Sequence, residues 1–68
     1  MADSVYNKIT LVGTSEKSFS DAAAVAVAKA AETTQNVSWF EVVEQRGSIV
    51  DGKIQQFQVT VCVGARID

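Results

Sequence analysis

Apolar and polar residues alternate at the start of the chain, with Val5, Asn7, Ile9 and Leu11 on one side and Tyr6, Lys8, Thr10 and Val12 on the other. A period of two predicts a strand over Val5–Val12, with Gly13-Thr14-Ser15 as its punctuation. The period then changes. Phe19, Ala23, Ala26 and Ala30 recur at helical spacing, predicting a helix over Phe19–Thr34 with this row toward a core. Ala22, Ala23, Ala24, Ala26, Ala28, Ala30 and Ala31 favour that helix by propensity. Ser18 is its N-cap candidate, with Asp21 three residues on, and Thr33-Thr34-Gln35-Asn36 ends it. Small side chains on the inward row let such a helix lie close to a sheet.

Two β-rich runs follow, Val37–Val50 and Lys53–Ile67, joined at Asp51-Gly52. Asp-Gly between such runs signals a two-residue type I′ hairpin. That turn fixes a register in which Phe40 faces Val63, Val42 faces Val61 and Arg46 faces Phe57, while Glu41 faces Cys62, Val43 faces Thr60 and Gln45 faces Gln58. The apolar pairs fall together, as cross-strand packing requires. The predicted fold class is α+β: a β-α-β-β subunit with a three-stranded antiparallel sheet against one helix, in a single domain over 1–68.

Strict alternation directs Phe40, Val42, Phe57, Val59, Val61 and Val63 toward the helix. It directs Trp39, Val43, Gln45, Gln56, Gln58, Thr60 and Cys62 to the opposite face. The only tryptophan is thereby turned away from the subunit's own core, although an indole normally belongs in one. Two readings stand: Trp39 is buried in a subunit contact, or it stacks on a planar ligand. Gln56 is a solvated strand residue, or an amide matched to the donors and acceptors of a heterocycle edge. Gln56 faces Gly47 in this register, about eight positions from Trp39, which is roughly 20 Å or more at the ~3.3 Å rise of a strand. Unless the hairpin bends sharply near Gly47, a ligand touching both residues must sit between two chains.

Other candidate chemistry is sparse. Arg46 and Arg66 are the only arginines; each is solvated or ion-paired, or holds a phosphate through its planar fork. Glu41 and Glu44 lie three apart on a strand and so point to opposite faces, with Glu44 on the helix side beside Arg46, a poor acid/base pair. Gly13-Thr14-Ser15 before a helix offers amides to an anion but lacks a phosphate-loop pattern. Cys62 has no histidine partner and is expected to be inert. No nucleophile and base can be paired, so catalysis is not expected.

Composition adds one strong constraint. A chain of 68 residues, 47% hydrophobic, with one cysteine and no histidine, has neither disulfide nor zinc to staple it. Small domains of this kind gain stability by association, so a homo-oligomer is expected. A net charge of −2 argues against a nucleic-acid surface. No apolar run approaches the ~20 residues of a membrane span. Met1-Ala2-Asp3-Ser4 carry neither the basic nor the apolar part of an export signal, which with a free thiol predicts the cytoplasm.

Several short pieces then acquire meaning together: Val12-Gly13-Thr14-Ser15 with Ser18-Phe19, Trp39-Phe40-Glu41-Val42, Arg46-Gly47, and Phe57-Gln58-Val59 leading to Val63-Gly64. In this order and spacing, over nearly the whole length, the chain resembles the dodecins, small flavoproteins that assemble into a hollow dodecameric shell. The resemblance implies a sheet wrapped around its helix and flavins held in pairs at two-fold interfaces. There the rings stack between tryptophans of different subunits, and a glutamine bonds the ring edge. Carried onto this chain, these are Trp39 and Gln56. The Trp39-Phe40-Glu41 and Arg46-Gly47 pieces are of the bacterial type, which implies FMN, with riboflavin as the alternative. Arg46 is then the phosphate contact, Arg66 a weaker one, and Glu44 the acid near the ribityl chain. Gln45 stands where a bulkier apolar residue often precedes the arginine. Ala65 stands where an aromatic residue is frequent, a departure that touches shell packing more than stacking.

The expected function is a non-enzymatic one: flavin storage and sequestration by a cytoplasmic homododecamer, protecting against flavin photochemistry. The alternative is a flavin-free oligomeric scaffold, or a carrier of another nucleotide such as coenzyme A. A flavin enzyme is disfavoured, because neither a proton donor nor a second-substrate pocket can be named.

Overall fold

The computed structural model describes residues 3–68; Met1 and Ala2, part of the stretch read for an export signal, lie outside the described residues. The chain forms β1 (Tyr6–Ser15), α1 (Phe19–Thr33), β2 (Val37–Val50) and β3 (Lys53–Arg66) in that order. β3 is the middle strand of a three-stranded sheet ordered β1-β3-β2, antiparallel to both neighbours. This is the β-α-β-β arrangement expected from the alternation, the helical spacing and the Asp-Gly turn. Asp51 and Gly52 have φ of 52° and 75°, the pair of left-handed residues that a type I′ turn demands.

β1 runs further than its alternation implied, because Gly13, Thr14 and Ser15 continue the ladder against Val59, Gln58 and Phe57. Gly13 is a packing device rather than a stop. A Cβ there would collide with the Ala22 carbonyl oxygen and lie 2.8 Å from the Ala26 Cβ, well inside the ~3.5–4.0 Å at which carbon atoms attract. The bare backbone lets α1 settle onto the sheet along Ala22, Ala26 and Ala30, all buried. The expected row through Phe19 and Ala23 lies to one side of that line: Ala23 is half-buried and Phe19 is exposed. The Phe19 ring meets Phe57 edge-on with centroids 4.9 Å apart.

The helix start is closed by its own side chains. Ser18 Oγ accepts the Asp21 amide at 3.0 Å, Ser15 Oγ accepts the Lys17 amide at 2.9 Å, and Ser15 donates to the Asp21 carboxylate at 2.7 Å. A carboxylate of the chain thus already stands where an anion would bind, and the structure gives no support to an anion site at Gly13-Thr14-Ser15. At the other end the Thr34 amide bonds the Ala30 carbonyl, ending the helix one residue earlier than expected.

The core is thin: Val59, Val61 and Val63 of β3 against the three alanines, with Ile9, Leu11, Ala23 and Val37 around them. α1 lies chiefly over β1 and β3. The inner face of β2 is left half open, and Phe40 and Val42 are 51% and 47% exposed. Between them and Phe19, Ala23 and Val27 runs an apolar groove of ≈ 590 Å³.

Two glycine substitutions separate packing from backbone conformation. Gly13→Ala is expected to lower stability by about 2 kcal/mol or more, the scale of overpacking. Gly52→Ala meets no atom and only a left-handed backbone, so it is expected to cost about 1 kcal/mol. Urea unfolding at fixed chain concentration measures both, and a smaller loss at Gly13 than at Gly52 would mean that the helix is not seated on Gly13.

Candidate functional site

The face of the sheet turned away from α1 carries two clusters, one at each end. Trp39 marks the first. It lies directly opposite Gly64 on β3, and Gly64 lies opposite Lys8 on β1. The indole is 41% exposed. It is flanked by the Tyr6 ring, tilted 50° with centroids 6.1 Å apart, and by Lys8 Nζ, 5.9 Å from the ring centroid. Lys8 also pairs with Glu41 at 2.6 Å. The hydrogen bond and charge of Glu41 raise the pKa of the exposed Lys8 ammonium above its ordinary value. Beside them Cys62 is buried, its Sγ 3.6 Å from Thr10 Oγ1. Arg66 is two positions beyond Gly64 and spends its Nε on Asp68 at 3.2 Å.

The second cluster is a chain of polar side chains. Thr60 donates to Glu44 Oε1 at 3.4 Å, and Arg46 Nη1 stands 4.0 Å from the same oxygen. Arg46 Nε donates to Gln58 Oε1 at 2.8 Å, and Gln58 Nε2 donates to Gln56 Oε1 at 2.9 Å. Glu44, Arg46 and Gln56 are therefore brought together, with Gln58 as the link. The last bond engages the oxygen of the Gln56 amide, whose Nε2 remains a donor.

This grouping corrects the strict alternation, which sent Glu44 and Arg46 to the helix side. The expected register holds from Trp39 to Val42, but Glu44, not Val43, pairs with Thr60. Val43 is the extra residue of a β-bulge. From there to Ser48 the faces of β2 are exchanged: Arg46 sits opposite Gln58, and Gln45 sits opposite Val59 and lines the apolar groove. Glu41 and Glu44, expected on opposite faces, consequently share one. Of the two other irregularities in this ladder, one lies between Val37 and Trp39, and the one after Ser48 restores the original register at the turn. The reason is energetic. Unbroken pairing would set Glu44 and Arg46 on the apolar side of the sheet beside Phe40 and Val42, away from Thr60 and Gln58, whose side chains they bond across the bulged ladder.

Trp39 and Gln56 are not brought together within one chain. Gly64, opposite Trp39, and Gln56 are eight positions apart on β3, or about 26 Å at strand rise. The chain is 56 Å long and 19 × 13 Å across. Fourteen residues of strand span about 48 Å, so the hairpin runs out along the molecule and does not fold back at Gly47.

Tyr6 and Lys8 were not singled out by sequence reasoning. Their alternation placed them on a common face, but nothing in β1 alone says that Lys8 stands in line with Gly64 and Trp39. Among the described residues no group of three or more His, Cys, Asp or Glu side chains gathers as a metal ion needs, and no helix is long and apolar enough to cross a membrane.

Comparison with known proteins supplies a context for this geometry. The family model named Dodecin matches residues 5–68. A dodecin of Thermus thermophilus is 42% identical over 64 residues, covering 94% of this chain and 93% of the relative. The solved dodecin of Streptomyces davaonensis superposes with a TM-score of 0.92 at 40% identity, covering 98% of each chain. A calcium dodecin of Mycobacterium tuberculosis, described as calcium-chelating, matches with a TM-score of 0.81 at 31% identity over 94% of this chain and 91% of that one.

The Lys8–Glu41 pair gives a direct check on the first cluster. In an NMR titration Lys8 is expected to lose its proton above the ordinary lysine value, and Glu41→Gln is expected to bring that midpoint back toward it. A raised folded-state pKa means that the pair's contribution is complete at neutral pH and fades as the pH climbs through the Lys8 midpoint. An unchanged midpoint in Glu41→Gln would show that the pair does not form.

Proposed function

This chain belongs to the dodecin family, and we propose that it binds and stores a flavin at interfaces between its copies, without turnover. The observation that carries the reading is the exposed indole of Trp39, a flat aromatic surface on a face that the chain's own helix leaves bare. Residues at the other end of the same face fit a flavin as well. Gln56 presents an amide donor of the kind that pairs with a heterocycle edge, and Arg46 has a planar fork suited to the phosphate of FMN. Glu44, held near Arg46, serves the ribityl side, and Arg66 at the Trp39 end is a second, weaker phosphate contact.

No single chain can offer the indole and the Gln56 amide to one ligand, so the site needs at least two copies. The family is oligomeric, and the open apolar groove beside β2 gives this chain a surface to bury in self-association. The assembly we propose is the homododecamer, working in the cytoplasm, with flavin pairs between two copies of Trp39. A bound flavin brings a light-sensitive ring. The chain's part is to stack it, shield it from water, and quench its excitation through contact with an electron-rich indole. FMN is the preferred ligand and riboflavin the alternative.

A fluorescence titration tests this. Trp39→Ala is expected to lose FMN affinity by roughly tenfold to a hundredfold, the worth of one aromatic stack, while keeping the oligomer seen in native mass spectrometry. Arg46→Ala is expected to weaken FMN but leave riboflavin nearly unchanged, because only FMN has the phosphate. Equal affinities in all three proteins would overturn the flavin reading. Loss of the oligomer in Trp39→Ala would instead make Trp39 a packing residue of a scaffold or of a carrier such as one for coenzyme A.

A further inference from the structure

We infer that Gly64 is the positioning residue of Trp39: its missing side chain is the seat of the indole, and this seat decides which surface of the ring is presented. The functional arm of the inference rests on the proposed flavin site; the structural arm does not.

A Cβ built at Gly64 would run into Cε2, Cζ2 and Cδ2 of Trp39, with no other group nearer. Cε2 and Cδ2 are the two carbons shared by both rings of the indole. A fused carbon is bonded on all three in-plane sides, so it can be approached closely only through the face of the ring. The indole therefore lies across the backbone of β3 with one face down on Gly64. Side chains on a strand ordinarily stand away from the sheet. An aromatic ring laid over a cross-strand glycine is the known exception, in which ring and bare backbone cover each other.

The backbone at Gly64 does not itself call for glycine, because it has none of the positive φ that Gly52 shows. What requires glycine is the ring above it. The next residues on the same face of β3 are Cys62 and Arg66, so Gly64 is the gap in that row. The gap lies in the rank Lys8, Gly64, Trp39 that crosses all three strands. An indole rooted on β2 must span the ~4.8 Å between strands to lie over β3, which brings it toward Lys8 on β1. The Tyr6 ring then limits its sideways travel, and the Lys8 ammonium sits over the ring, 5.9 Å from its centroid. With one face on Gly64, the ring offers a single outward face, parallel to the sheet. A side chain at position 64 would tip it upright and present an edge.

The test is a double-mutant cycle of Gly64→Ala with and without Trp39→Ala. Gly64→Ala alone is expected to change the near-UV circular dichroism of the only tryptophan, lower the urea midpoint, and weaken FMN binding at least tenfold. In the Trp39→Ala background, where the methyl has room, Gly64→Ala is expected to leave the midpoint unchanged or raise it. If Gly64→Ala alone does not fold, rescue by Trp39→Ala supports the seat, and failure of both variants overturns it. Equal loss of stability in the two backgrounds, or an unaltered tryptophan dichroism, also overturns it. A wild-type protein that takes up no FMN would sink the flavin reading, yet the cycle and the dichroism would still decide the role of Gly64.

Discussion

The close seating of α1 on the sheet governs the rest of the molecule. Gly13 and three alanines bring the helix so near that it nestles over β1 and β3, and a helix ~10 Å wide cannot at that depth also cover a third strand. The division of the sheet's inner side follows from this shortfall. Val59, Val61 and Val63 are fully covered, whereas Phe40 and Val42, on the same side of the same sheet, are not. A longer side chain at Gly13 would lift the helix away from the sheet, and the sharp division between a sealed centre and an open flank would blur.

On the other side of the sheet no helix competes, and the polar and aromatic groups are arranged by strand register alone. One bulge at Val43 has two effects there. It removes Glu44 and Arg46 from the apolar side and delivers them to Gln58, which in turn holds Gln56. It also sends Gln45 inward, to the rim of the apolar groove. The Trp39 end is organised differently, by a bare patch of backbone and two side chains of β1. The two ends share strands but no side-chain bonds, and each is a complete local structure.

Much of this was legible in the sequence because it rests on short-range rules. Alternation, helical spacing, the Ser18 cap and the Asp51-Gly52 turn each act over a few residues, and each element appears in the predicted order, with β1 running on to Ser15 and α1 ending at Thr33. The resemblance carried by Trp39, Arg46-Gly47 and Val63-Gly64 led to the right family. What escaped was long-range. The bulge is a compromise between two faces that a strictly alternating pattern cannot express, although its signal was present: unbroken pairing would have set two charges on the apolar side of the sheet. Gly13 looked like punctuation because its role depends on Ala22 and Ala26, nine and thirteen residues away. Lys8 and Tyr6 were passed over because their importance comes from Trp39 and Glu41, more than thirty residues further along the chain.

The separation of Trp39 from Gln56 along an unfolded-back hairpin has a thermodynamic corollary. For a ligand that needs both the aromatic face and the amide, an isolated chain has half a site and so almost no affinity. Binding is then linked to association by mass action. Ligand draws chains into the assembly, and dilution that separates chains releases ligand in the same step. The midpoint of such a transition shifts with both concentrations together, so uptake of a ligand of that kind depends on association even where chains associate without it.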